Sequence, residues 1–118
     1  MNNAHISELR AEASGRGVLV NGPALVTVRN SYAANNGTGF SALNAAATLN
    51  LENVTATINN VGVEVGNNGT VRVSNSFVVS NNTGLDVLAS GGTMRSLGGN
   101  AVDGNPVSDA FTSTNPKT

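Results

Sequence analysis

Glu64 and Asp86 are acids 22 residues apart, and each sits in the same local pattern, "GVEV" and "GLDV". If the chain between them returns to its starting point, the two carboxylates stand about 5 Å apart, near the separation of the acid pair in a retaining glycosidase. The competing expectation is a pair of solvated surface acids, because Leu19 and Ser41, the equivalent residues upstream, supply no further partner. Arg72 and Arg95 form a second pair, 23 residues apart. Two guanidiniums on one face could grip an anionic sugar or a sulfate group, or could simply stand in water. Arg29 and Glu52 recur at the same interval with opposite charge and read as a cross-strand ion pair worth about 0.2–1 kcal/mol. His5 is the only histidine and there is no cysteine, so no transition-metal site is expected, nor a Ser-His-Asp triad or any cofactor.

All of this depends on what brings residues 22 or 23 positions apart together. Gly17, Gly39, Gly62 and Gly84 recur at intervals of 22, 23 and 22 residues. Each is followed by an alternating apolar pair: Val18 and Val20, Phe40 and Ala42, Val63 and Val65, Leu85 and Val87. Period two is the signature of a strand with one face inward. A second alternating set follows in Val26 and Val28, Leu49 and Leu51, Val71 and Val73, Met94 and Ser96. Asn30, Asn53 and Asn75 come next in one column, then a third short run with Ser31, Ala33, Val54, Ala56, Ile58, Ser76 and Val78 assigned inward. Asn36, Asn59 and Asn81 close each unit.

Three strands and three corners per repeat, stacked in parallel, give every coil a shared apolar interior that no single coil could bury. Parallel connections are overwhelmingly right-handed, so the expected fold is an all-β, right-handed parallel β-helix of about 4.5 coils. The coils fall at about 4–16, 17–38, 39–61, 62–83 and 84–105, with a tail from 106 to 118, in a single domain. An amide carries both donor and acceptor, so the Asn columns predict ladders at the corners where the strand pairing stops. A leucine-rich repeat is excluded because "LNLENV" places its Asn too early and β-branched residues fill the return path.

Composition agrees. Charged residues are 11% of the chain and the net charge is −1, which leaves no electrostatic footprint for nucleic acid or an anionic membrane. With one Tyr, three Phe and no Trp there is little to stack bases on. No apolar run is long enough for a membrane span and no export signal is visible at the start.

The four "GV-x-V"-type openings, the "NS" and "NV" corners, and "LGGNAVDGN" followed by "AFTSTNPKT" resemble the bacterial right-handed parallel β-helix repeat proteins of the pectate-lyase-like superfamily, over about residues 4 to 111. The resemblance implies a secreted or cell-surface setting, and catalytic carboxylates or calcium ligands on strands comparable to those of Glu64 and Asp86. A lyase-like site would also want a Lys or Arg base over the same groove, and only the corner residue Arg16 is near.

Ala4 and Ile6 fall in the columns of Val26 and Val28, so the chain enters partway through a coil and its first rung is expected to be covered by another copy or by more solenoid. Pro106 and Pro116 cannot extend a ladder, which leaves the tail to fold over the last coil or hang free. Outward residues of the third strand, Tyr32, Ala34, Thr55, Thr57, Phe77 and Val79, offer a weakly polar patch to a subunit. Asn36, Asn53, Asn68 and Asn81 match the N-x-T glycosylation pattern, which chance and turn chemistry explain, since Asn and Thr are used at every corner. The expected function is that of a non-catalytic interaction module that self-associates or caps a longer β-helix, with Ala4, Ile6, Tyr32, Phe77 and Val79 as contacts. The alternative is carbohydrate binding or processing along the Glu64 and Asp86 face.

Overall fold

Successive coils approach so closely that one column has no room for a side chain. In the computed structural model, which describes residues 2–114, a Cβ on Gly39 would lie 2.6 Å from the Gly62 carbonyl oxygen. One on Gly62 would lie 2.8 Å from that of Gly84. Those distances are inside van der Waals contact, so only glycine lets the backbone pass from one rung to the next there. The glycine rhythm in the sequence is the imprint of this contact.

The strands opened by these glycines are β3 (Arg16–Val20), β5 (Thr38–Ala42), β7 (Val61–Val65) and β10 (Thr83–Val87). They form one parallel sheet in the order β10-β7-β5-β3. Its register stacks Val18, Phe40, Val63 and Leu85 in one column and Val20, Ala42, Val65 and Val87 in the next. A second parallel sheet stacks β1 (Asn2–Ser7), β4 (Ala24–Ala34), β6 (Ala47–Thr57), β8 (Gly69–Ser74), β11 (Gly92–Ser96) and β13 (Ser113–Thr114) in that order. The short strands β2 (Arg10–Glu12), β9 (Phe77–Val79) and β12 (Ala101–Asp103) carry the third side of their coils, β2 on β4, β9 on β6 and β12 on β9. The described chain is thus an all-β parallel solenoid of about five turns, half a turn more than its repeats suggest, because residues 107–114 add a partial last rung.

The interior is a stack of the expected columns. Val28, Leu49, Leu51, Val71, Val73 and Met94 are buried from the second strand, and Phe40, Val63, Val65 and Leu85 from the first. Each such side chain contributes about 1.5–3 kcal/mol against the entropy of ordering its backbone. Inward serines are tolerated because each finds local partners. Ser76 Oγ accepts from Val54 N at 3.1 Å and donates to Ser74 O at 2.8 Å.

Two corners of each coil use left-handed backbone. Asn30, Asn53 and Asn75 have φ of 50°, 50° and 49°, a conformation that Asn tolerates better than most residues. In the second and third coils the ladder continues through this bend, so the two strands expected there run on as the single elements β4 and β6. The other left-handed column holds Asn35, Ile58 and Ser80. This corrects the inward assignment of Ile58. Its φ of 55° turns the side chain outward, where it is 62% exposed.

Beside that column runs a buried amide ladder. Asn59 N donates to Asn81 Oδ1 at 3.0 Å, Asn36 N to Asn59 Oδ1 at 3.0 Å, and Asn81 N to Asn105 Oδ1 at 2.8 Å. Each side-chain amide nitrogen returns to a backbone carbonyl of the preceding coil: Asn36 to Ala11, Asn59 to Ala33, Asn81 to Ala56 and Asn105 to Val78. The ladder thus closes the corner with the donor and acceptor that the sequence assigned to it.

Coil length varies mainly in one place. The connector after the first strand holds residues 21–23, 43–46, 66–68 and 88–91 in successive coils, whereas the buried Asn corner always takes three, 35–37, 58–60, 80–82 and 104–106.

Candidate functional site

Three outward faces follow from this scaffold, one per side of the coil. On the first, the register places Leu19, Ser41, Glu64 and Asp86 on successive rungs, so the acid pair is brought together as expected. Its surroundings differ from the expectation. Ser41 is 0% and Glu64 only 9% exposed, although both point away from the core. Arg16, from the rung of Leu19, reaches across the rung of Ser41 until its Nη2 lies 3.9 Å from Glu64 Oε1. Ser41 Oγ and Glu64 Oε1 are sequestered with no hydrogen-bond partner, a costly state for polar atoms. Burial pushes the Glu64 carboxyl above its ordinary 4.5, Arg16 partly offsets this, and Asp86 adds to it. Asp86 is also raised, by burial first and then by Asp109.

Asp109 is a member of this face that the repeat analysis missed. It lies in the tail, where its Oδ2 accepts from Val87 N at 2.7 Å. It follows Asp86 by 23 residues, one repeat interval, but lacks the glycine that opens the earlier first strands and so marks them. Arg16, a corner residue by the sequence pattern, opens β3 and is the cation that meets Glu64. Among the described residues no group of three or more His, Asp or Glu is arranged to hold a metal ion.

The second face carries the arginines. Thr27, Asn50, Arg72 and Arg95 occupy one column, and Arg29, Glu52 and Ser74 the next. Arg72 Nη1 donates to Asn50 Oδ1 at 3.3 Å, and Ser74 Oγ to Glu52 Oε2 at 3.0 Å. A groove of about 330 Å³ runs between the columns, lined by Thr27, Arg29, Asn50, Glu52, Arg72 and Leu97 among others. Arg95 Nε is buried without a partner. Arg29 and Glu52 are register partners, as expected.

The third face is less apolar than expected. Phe77 is 56% exposed, but Val79 and Tyr32 are half-buried and Ala34 is buried. The Tyr32 ring is covered by the Arg10 guanidinium, 5.2 Å from its centroid. At the start of the chain Ala4 is exposed and Ile6 half-buried, and β1 has a strand, β4, on one side only among the described residues.

Comparison with known protein families, with curated proteins and with solved structures found no match to this chain. What stands from the resemblance is therefore the architecture, a parallel β-solenoid of about five turns.

Proposed function

We propose that this chain is a structural and associative solenoid, a module that pairs with a second copy or continues a longer β-helix by adding a strand to its first rung. The observation that carries this reading is the open edge of β1, whose outer backbone groups face no strand among the described residues, beside the partly uncovered ends of the apolar columns at Ala4 and Ile6. An edge of this kind is a template for strand addition, in which main-chain hydrogen bonds give affinity and side-chain pockets give register. Phe77 on the third face adds a lateral contact. The reading includes kinship with bacterial right-handed β-helix repeat proteins of the pectate-lyase-like kind, supported by the glycine openings and the Asn corners.

Carbohydrate processing on the Glu64 and Asp86 face is the weaker reading. The Glu64 carboxylate is almost wholly covered, and the cation beside it comes from a corner rather than from a groove. Polysaccharide cleavage that is lost in Glu64→Gln would reinstate it.

Light scattering tests association. The expected mass is that of two or more chains, falling to one chain when Ala4→Lys and Ile6→Lys place charges at the open rung. Phe77→Asp is expected to weaken the assembly less. A monomer at all concentrations, or an oligomer indifferent to these changes, would overturn the reading.

A further inference from the structure

Arg72 and Arg95 are direct register partners on β8 and β11, so two guanidiniums project from adjacent rungs on the same face. Adjacent strands in a sheet are about 4.8 Å apart, and like charges directly opposite one another are destabilising. Surface arginines usually relieve such repulsion by pairing with carboxylates. The ion pairs Arg10 with Glu12 and Arg16 with Glu64, within 4.0 Å among the described residues, involve neither of these arginines. Arg72 makes a single long bond, to Asn50 Oδ1 at 3.3 Å. Arg95 holds its Nε out of solvent with nothing to donate to. Glu52, the acid among the groove residues, already accepts from Ser74. Among the described residues, Arg72 and Arg95 are thus adjacent fork-shaped donors that no carboxylate answers.

We propose that this face, the outer side of β8 and β11 with the groove beside it, binds a tetrahedral oxyanion, a sulfate or phosphate group, held between Arg72 and Arg95. Such a group presents several acceptor oxygens and a negative charge, so it answers both forks at once and cancels the repulsion between them. Asn50 orients Arg72, and Thr27 with Arg29 extends the polar lining toward the first rung. The about 330 Å³ of the groove leaves room for the body of an ester beyond the anion itself. This site lies on a different side of the coil from the acid pair and does not depend on the association proposed above.

The test is calorimetric titration of inorganic phosphate into the intact chain, in chloride buffer at fixed ionic strength. Saturable binding is expected, weakened about tenfold or more in Arg72→Gln and in Arg95→Gln, since each removes one charged fork. Circular dichroism verifies that the variants fold. If either does not, Arg72→Lys and Arg95→Lys keep the charge but not the fork, and each is expected to weaken binding several-fold. A monosaccharide phosphate and a monosaccharide sulfate are titrated in parallel. Tighter binding of an ester assigns the site to an esterified ligand, and equal binding assigns it to the free anion; either result supports the proposal. Absence of saturable binding, or equal affinity in wild type and variants, overturns it.

Discussion

The two ends of the solenoid treat their strand edges in opposite ways. At the first rung, β1 has β4 on one side and no strand on the other among the described residues. At the last rung, side chains finish the ladder. Leu85 N donates to Ser108 Oγ at 3.0 Å, Val87 N to Asp109 Oδ2 at 2.7 Å and Met94 N to Thr112 Oγ1 at 2.8 Å. Thr112 also returns its hydroxyl to Met94 O at 3.0 Å. The tail thus does for a sheet edge what capping residues do for a helix end, meeting orphan donors with side-chain oxygens. Pro106 lies within this closing segment and Pro116 lies outside the described residues. The difference teaches that side-chain hydroxyls and carboxylates can meet the alternate outward-facing backbone donors of a rung in place of a full paired strand.

If the closed end is the more constrained, equivalent changes should cost more there. The largest effect is expected for Asn81→Ala, which strips the buried ladder between Asn59 and Asn105 and leaves the Asn59 N and Ala56 O groups without their partner. Urea unfolding should show a loss of about 3 kcal/mol, summed from the cost of buried unsatisfied groups. Asn36→Ala, whose outer partner Ser14 is exposed, should lose clearly less. Equal losses would remove the asymmetry. Thr112→Val comes next, at about 1–2 kcal/mol, since it deprives Met94 of its side-chain cap while preserving shape. Amide exchange should then accelerate at Met94 toward the rate of β1.

The smallest effect concerns Glu64, midway between the ends and reached by Arg16 from the rung of Leu19. Its folded-state pKa lies above the ordinary 4.5, so below that pH both states carry the proton and nothing is lost. As pH rises through the window that opens near 4.5, the unfolded chain ionises first and the fold loses stability. Thermal unfolding of Glu64→Gln should therefore sit above wild type at neutral pH, with the gap closing in acid. A gap that widens in acid would show that Arg16 outweighs burial.

Much of this was legible because a repeat states each fact several times. Four glycines, four apolar pairs and three Asn columns set the register, and stacked partners such as Val18 with Phe40 or Leu49 with Val71 follow it. The misses are positions where one coil departs from its neighbours. Ile58 shares a column with Asn35 and Ser80, whose chemistry gives no common signal, and its apolar side chain argued for the wrong face. A β-branched residue in left-handed backbone is a local conflict that pattern cannot anticipate. The burial of Ser41 and Glu64 depends on a side chain that spans two rungs, so strand alternation could not show it. The capping atoms of Ser108, Asp109 and Thr112 lie where the glycine and apolar columns have lapsed, so the 23-residue interval from Asp86 to Asp109 stood without the pattern that identifies a strand.

The uneven connectors have a practical corollary. Because the loops at 21–23, 43–46, 66–68 and 88–91 already differ in length while the Asn corner does not, foreign peptides inserted at the former should leave every stacked column undisturbed. One flank of the molecule is thus a natural display scaffold, with graft points repeating at the spacing of single sheet rungs.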